Sequence, residues 1–252
     1  MADRDSGHGS SPRDNGLNFE AEEARIRRAY ARYDENHNEI AKRDHANRGN
    51  LNMERERDRE LQRLLQSRRL IPIGNASALE VGCGTGSVLR RLVEMGADPH
   101  CLLGVDMLEQ RISLARERNP GIRFETTRPD KLAFPDKQFD LVLAFTLFSS
   151  ILDRGLAATL ASEILRVLRP TGTVIWYDTR YPNPGNPDVT GISRSRLAEL
   201  FPGCRLELRA ITLLPPIARR VGRWPAGYAL LSSVGVLKSR YLGLIRPPAS
   251  TL

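Results

Sequence analysis

The sequence predicts an α/β fold: a doubly wound, mostly parallel sheet with helices on both faces. Three observations carry that expectation. From Ser77 onward, short apolar runs alternate with segments of helical period, and such alternation forces parallel strands joined by crossover helices. Leu79-Glu80-Val81-Gly82-Cys83-Gly84-Thr85-Gly86 places a strand, a glycine turn and the start of a helix in direct succession. Twenty positions beyond Gly86, the apolar run from Cys101 to Val105 ends in Asp106, a carboxylate at the tip of the next strand.

The elements follow in order. Residues 1–17 are polar and lack the apolar stretch of a leader, so a disordered tail is expected. Two helices precede the sheet and form a lid over residues 18–72. Glu20 to Tyr33 spaces Ala21, Ala24, Ala29, Tyr30 and Tyr33 near helical period, and Leu51 to Leu70 carries Leu61, Leu64 and Leu65 beside a run of alternating charges. The α/β domain then occupies 73–252. Strand 78–81 and helix 87–95 come first, with Val88, Leu89, Leu92 and Val93 toward the sheet and Arg90, Arg91 and Glu94 toward water. Strand 101–106, helix 108–118, strands 122–126 and 139–145, helix 155–168 and strand 172–178 continue the alternation. Ser193 to Leu200 is a short helix, Arg205 to Leu213 alternates as a strand, and Tyr241 to Arg246 is the seventh.

Bulk properties narrow the class. A chain of 252 residues, 40% hydrophobic, buries one substantial core. Cys83, Cys101 and Cys204 are odd in number and lack a C-x-x-C pair, which points to a reducing, cytoplasmic setting and to no zinc site. His8, His37, His45 and His100 show no metal-ligand spacing either. Of the net charge of +8, the stretch from Gly203 to Leu252 supplies +7, from eight cations against Glu207 alone. A solvated basic face is the reading adopted, with attraction to an acidic substrate, a phospholipid surface or nucleic acid as the alternative.

Two nucleotide cofactors compete for the glycine turn, and charge separates them. A dinucleotide lays its pyrophosphate on the helix N-terminus after G-x-G-x-x-G, where a nearby carboxylate repels it. Here the spacing is G-x-G-x-G, and Glu80 stands two residues before Gly82. S-adenosyl-L-methionine carries an ammonium, a sulfonium and one small carboxylate, so free N–H groups of the turn hold the carboxylate while Glu80 favours the cations. Asp106 accepts ribose hydroxyls from either nucleotide.

The stretch 79–86 resembles class I S-adenosylmethionine-dependent methyltransferases, in particular the small-molecule group related to quinone-biosynthesis methyltransferases. The likeness continues in Phe134-Pro135-Asp136-Lys137-Gln138-Phe139-Asp140-Leu141-Val142 and in Glu163-Ile164-Leu165-Arg166-Val167-Leu168-Arg169-Pro170-Thr171-Gly172, with Thr171 where the group has glycine. It covers roughly residues 75 to 180. The resemblance implies a Rossmann-like, seven-stranded sheet with an antiparallel last strand, and it makes 73–252 a methyltransferase domain.

Ligands of such sheets collect beyond the carboxyl ends of the strands. Glu80, Gly82, Cys83, Gly84, Gly86, Asp106 and Met107 are therefore expected to bind the cofactor, with Phe145 from the segment Phe145-Thr146-Leu147-Phe148-Ser149-Ser150. By the resemblance this segment passes the sulfonium and faces the acceptor. Family members read the adenine edge with an aspartate followed by a residue with a free N–H, but here those positions hold Arg128 and Pro129. Asp130 is the preferred substitute through a shifted loop; apolar contacts alone are the alternative. Asp178, at the tip of strand five, leads the candidates for a general base, followed by Tyr177 and the lid histidines His37 and His45. Ser149, Asn183 and Tyr33 are the candidate substrate contacts, with Asn186 and Asp188 nearby.

The leading functional expectation is methylation of a small-molecule acceptor, at oxygen, in secondary-metabolite or saccharide biosynthesis. A peripheral-membrane enzyme acting on a lipid-linked or quinone-like acceptor is the second reading. It draws on Tyr228 to Leu237, an apolar run between Arg219, Arg220, Arg223, Lys238 and Arg240 that is otherwise read as a core helix. A non-enzymatic cofactor-binding module is the third. Nucleic-acid methylation is disfavoured, because Phe-Thr-Leu-Phe replaces the Asn/Asp-Pro-Pro-aromatic signature after strand four.

Overall fold

The computed structural model describes residues 12–35, 46–68, 70 and 74–248. It contains a sheet of seven strands in the order β3-β2-β1-β4-β5-β7-β6. The strands are β1 (Ala78–Val81), β2 (Leu102–Asp106), β3 (Arg123–Thr126), β4 (Phe139–Phe145), β5 (Leu168–Thr179), β6 (Arg205–Leu213) and β7 (Lys238–Arg246). The first five run parallel. Strand β7 is antiparallel to both of its neighbours, so β6 points the same way as β5. The expected Rossmann-like, doubly wound sheet is what the chain forms.

Helices α1 (Pro12–Glu35) and α2 (Arg48–Ser67) precede the sheet; α3 (Ser87–Glu94), α4 (Glu109–Arg118) and α5 (Arg154–Val167) are its crossovers; α6 (Arg194–Leu200), α7 (Pro215–Val221) and α8 (Pro225–Ser233) follow. Residues 12–17, expected in the tail, belong to α1. Proline is tolerated at the first helical position, where an N–H has no intrahelical partner.

Period-two alternation sorts the strand residues onto two cores. Leu79, Val81, Leu103, Val105, Val142, Val174 and Trp176 face α1, α5 and α6. Ala78, Leu102, Leu141, Leu143, Ile175 and Tyr177 face α2, α3 and α4. Glu80 shares the second face with Ala78, opposite Gly104 of β2 and Leu143 of β4. A side chain at Gly104 would meet the Phe124 ring and the Cys83 sulfur, so this row admits only hydrogen beside the buried carboxylate.

Two departures from expectation have physical reasons. Strand β5 begins at Leu168, directly after α5, rather than at 172 as expected, and its added start carries a bulge: Phe139 pairs with Leu168, but Leu141 pairs with Thr173. The run 228–237 is not a core helix. Helix α8 buries Gly227 and Tyr228, while Leu230 and Val236 are each 68% exposed. No helix among the described residues is long and apolar enough to cross a membrane.

Candidate active site

Strand order reverses between β1 and β4, and a crevice opens beyond their carboxyl ends. A cavity of about 270 Å³ lies there, lined by the loop after β1, the tip of β2, the segment after β4 and Tyr177 of β5. Its floor is the glycine turn. Gly82, Gly84 and Gly86 have φ of +74°, +53° and +77°, values that L-residues with side chains rarely adopt. Gly86 is also the N-cap of α3, and a Cβ there would lie 2.6 Å from the Phe124 ring. The turn therefore brings bare backbone to the cavity.

Two carboxylates face this backbone. Asp106 accepts the Gly84 N–H at 2.9 Å on one oxygen and the Leu108 N–H at 3.0 Å on the other. It thus locks the turn to β2 while each oxygen keeps a lone pair for a ligand. Burial raises its pKa against the pull of those N–H groups and of Arg111. Glu80 is 2% exposed, and its Oε2 has no hydrogen-bond partner. Burial raises its pKa well above the ordinary value, with Arg57 opposing and Asp106 reinforcing the shift. Burial thus favours the neutral acid, with Arg57 and the Leu89 N–H only partly offsetting the cost of the charged form, and a cationic ligand would favour the carboxylate. Glu80 keeps one carboxyl oxygen free toward the cavity.

Helix α1 borders the other side. Ile26 and Tyr30 of α1 line the cavity, and α1 is fastened by a polar latch. Glu22 accepts the Leu152 and Asp153 N–H groups, Arg25 donates to the Ser150 carbonyl at 2.6 Å, and Arg32 pairs with Asp188 at 2.8 Å. Burial alone would raise the Glu22 pKa, but Arg25 and the two N–H groups bring it below the usual range. By sign, the latch stabilises the fold above the ordinary carboxylate pKa and is lost as pH falls through the lowered one.

Of the sequence-predicted residues, Glu80, Gly82, Cys83, Gly84, Asp106, Met107, Phe145 and Tyr177 come together on the cavity wall, and Gly86 stands just behind it. The Cys83 thiol is pushed up by burial, with Glu80 and Asp106 adding to the shift, and is held protonated. The others lie elsewhere. Asp130 is off the wall, its oxygens taken by the Arg128 guanidinium at 2.9 and 3.0 Å, while Thr127 and Pro129 line the cavity instead. Asp178 is 1% exposed and accepts the Ser149 N–H at 3.0 Å and the Thr179 N–H at 2.7 Å, so it braces the segment after β4 from behind. Ser149 is buried with it. Tyr33 donates to Asn186 at 2.9 Å, and Asn183 accepts the Gly185 N–H at 3.1 Å, so these two serve the lid latch and its loop. His37 and His45 lie outside the described residues.

Arg57 and Arg111 of the wall were not foreseen, whereas Thr146 belongs to the segment after β4 that was expected there. Arg57 enters from α2 between Asp58 and Glu54, and Arg111 stacks on Tyr30 at 4.4 Å. Thr146 has φ of +50°, held by its N–H to the Tyr177 carbonyl at 2.7 Å, a strained backbone at the strand tip. That strain turns the segment after β4 across the crevice.

Residues 78–172 match the profile of the methyltransferase domain family. A ubiquinone biosynthesis O-methyltransferase of Azorhizobium caulinodans is 31% identical over 113 residues, 43% of this chain and 42% of that protein. A fatty-acid O-methyltransferase of Mycolicibacterium smegmatis is 36% identical over 104 residues, 40% of this chain and 36% of that one. The chain thus spans less than half the length of the curated relatives it matches. Among solved structures, a putative sarcosine dimethylglycine methyltransferase from Galdieria sulphuraria superposes with a TM-score of 0.57 at 15% identity, over 75% of this chain and 86% of that one.

Proposed function

We propose that this chain, whose residues 78–172 match a methyltransferase domain family, is a class I S-adenosylmethionine-dependent methyltransferase that methylates a small-molecule acceptor at oxygen. The observation that carries the reading is the buried Glu80 carboxyl, one oxygen of which has no hydrogen-bond partner, beside a turn of positive-φ glycines. A phosphate-bearing nucleotide would meet that anion unfavourably, and a cationic one completes it.

Asp106 would accept the ribose hydroxyls, Glu80 the cationic methionyl end, and the N–H groups of the turn, with Arg57, the methionyl carboxylate. Bound there, S-adenosyl-L-methionine supplies a methyl carbon made electrophilic by sulfonium. The chain's own part is alignment. Phe145 and Tyr177, with ring centroids 5.4 Å apart, form a wall on the acceptor side. The lid excludes water, and a fixed approach lowers the barrier without a strong base. Asp178 acts at one remove, by holding the Ser149 N–H and so the position of that wall.

The preference for oxygen is supported by two relatives named as O-methyltransferases over this stretch. A lipid-linked or quinone-like acceptor is the second reading, favoured by the exposed apolar surface of α8. Calorimetry tests the cofactor: S-adenosylmethionine should bind and NAD should not, and the reverse result overturns the reading. Incubation with a metabolite extract, followed by mass spectrometry, should reveal a product heavier by one methylene.

Asp106→Asn is expected to weaken cofactor affinity by about 1–3 kcal/mol, the scale of lost charged hydrogen bonds. An amide has only one oxygen, so it cannot accept both the Gly84 and Leu108 N–H groups. Calorimetry gives the affinity, and an unchanged value would remove Asp106 from the ribose site.

A further inference from the structure

We propose that the connection between β6 and β7 is a docking surface for an anionic lipid bilayer, so that the cavity draws its acceptor from a membrane. This rests on the methyltransferase reading for its purpose. The surface itself is argued from exposure, charge and position.

Among the described residues, four of the six exposed large hydrophobic side chains lie within residues 224–236: Trp224 at 61%, Leu230 at 68%, Val234 at 42% and Val236 at 68%. The Trp224 ring rests on Gly227, where a Cβ would come within 2.1 Å of it, so the indole is braced by α8 yet faces water. An amphipathic ring held in that way suits a headgroup boundary. Arg220 and Arg223 are exposed beside it, and no acidic residue occurs anywhere after Glu207. Among the described residues Arg220 and Arg223 form no salt bridge, and the acidic Glu56 of the packed α2 is engaged by Tyr228. Apolar side chains beside two exposed arginines match an anionic bilayer, where each cation near the surface adds about 1 kcal/mol of attraction.

Position links this surface to the cavity. Strand β6 runs parallel to β5, so Leu213 ends at the carboxyl edge of the sheet, the end at which the cavity opens. Arg180, one residue past β5, donates to the carbonyls of Gly235 at 3.0 Å and Lys238 at 2.8 Å, which pins the connection to that edge. Tyr228 of α8 donates to Glu56 of α2 at 3.0 Å, and the next residue, Arg57, lines the cavity. Gly49 and Gly222 allow α2 and α7 to touch backbone to backbone. The surface is therefore rigidly tied to the site.

Flotation of the full chain with phosphatidylcholine vesicles, with and without phosphatidylglycerol, tests the proposal. Binding is expected only with the anionic lipid, together with a blue shift of Trp224 emission; Trp176 is 1% exposed and will not report it. The double variant Arg220→Glu/Arg223→Glu should lose at least about tenfold in vesicle affinity. The triple variant Trp224→Ala/Leu230→Ser/Val236→Ser should lose the bound fraction and, being all at the surface, keep its thermal midpoint. Absence of flotation overturns the proposal, as does flotation that both variants leave unchanged. So does burial of Trp224 by self-association without lipid, or retention by duplex or single-stranded nucleic acid in place of vesicles. Calorimetry with S-adenosylmethionine on the same preparations separates failure of this surface from failure of the cofactor site.

Discussion

Trp176→Ala is expected to lower the unfolding free energy by about 3–5 kcal/mol, the cost of emptying a large buried aromatic site. Trp176 is 1% exposed on β5, with its ring 5.0 Å from Phe148 and 6.0 Å from Phe201. Those rings come from the segment after β4 and the loop after α6, so one side chain joins three parts of the chain that are distant in sequence. The surrounding strands cannot collapse without breaking the sheet register, and a cavity should remain. For a domain of ordinary stability, about 5–15 kcal/mol, the loss is a large fraction of the total. Urea denaturation measures it. Tyr177→Phe is the internal control: the next residue faces the opposite core, its hydroxyl reaches only Thr212 at 3.5 Å, and its removal should cost no more than about 1 kcal/mol. A loss below about 1 kcal/mol for Trp176→Ala would refute its place as the packed link between these segments.

The sheet was legible because its signals are local. An apolar run followed by Gly82-Cys83-Gly84-Thr85-Gly86 admits few conformations, and the alternation after Ser77 leaves few topologies. The carboxylates at the tips of β1 and β2 were found from the same local pattern. What escaped depends on packing between distant segments. Arg57 reaches the wall only because α2 lies across the face that carries Glu80, and no spacing in the sequence announces that. Asp130 illustrates a local competition: an arginine two residues away pairs with its carboxylate, off the cavity wall. Asp178 sits at the strand tip as expected, but the β4 segment folds over it and takes its oxygens. The run 228–237 was misread because hydropathy reports apolar character, and apolar character alone does not distinguish a buried helix from one exposed for docking.

Glu80→Gln should separate the stability of the empty protein from its affinity for the cofactor, moving them in opposite directions. The wild-type carboxyl has a folded pKa raised well above its unfolded value, chiefly by burial. A raised carboxyl pKa means that the unfolded chain releases the proton first as pH rises, so the stability supported by the protonated form is lost upward of the ordinary glutamate pKa. At neutral pH, Glu80 is therefore a burden on the empty fold. Glutamine has nearly the same volume and no charge, so the variant should be more stable than wild type by about 1–3 kcal/mol at neutral pH. The gain should vanish below the ordinary carboxylate range, where both proteins are neutral at this position. Affinity for S-adenosylmethionine should fall by about 3 kcal/mol, or roughly a hundredfold, because a buried cation would then lack its counter-charge. Thermal midpoints across pH and calorimetry with the cofactor read the two effects separately. A variant that binds as tightly as wild type would mean that Glu80 serves the fold alone, and one that is less stable when empty at neutral pH would mean that Arg57 and the Leu89 N–H outweigh the cost of burying the charge.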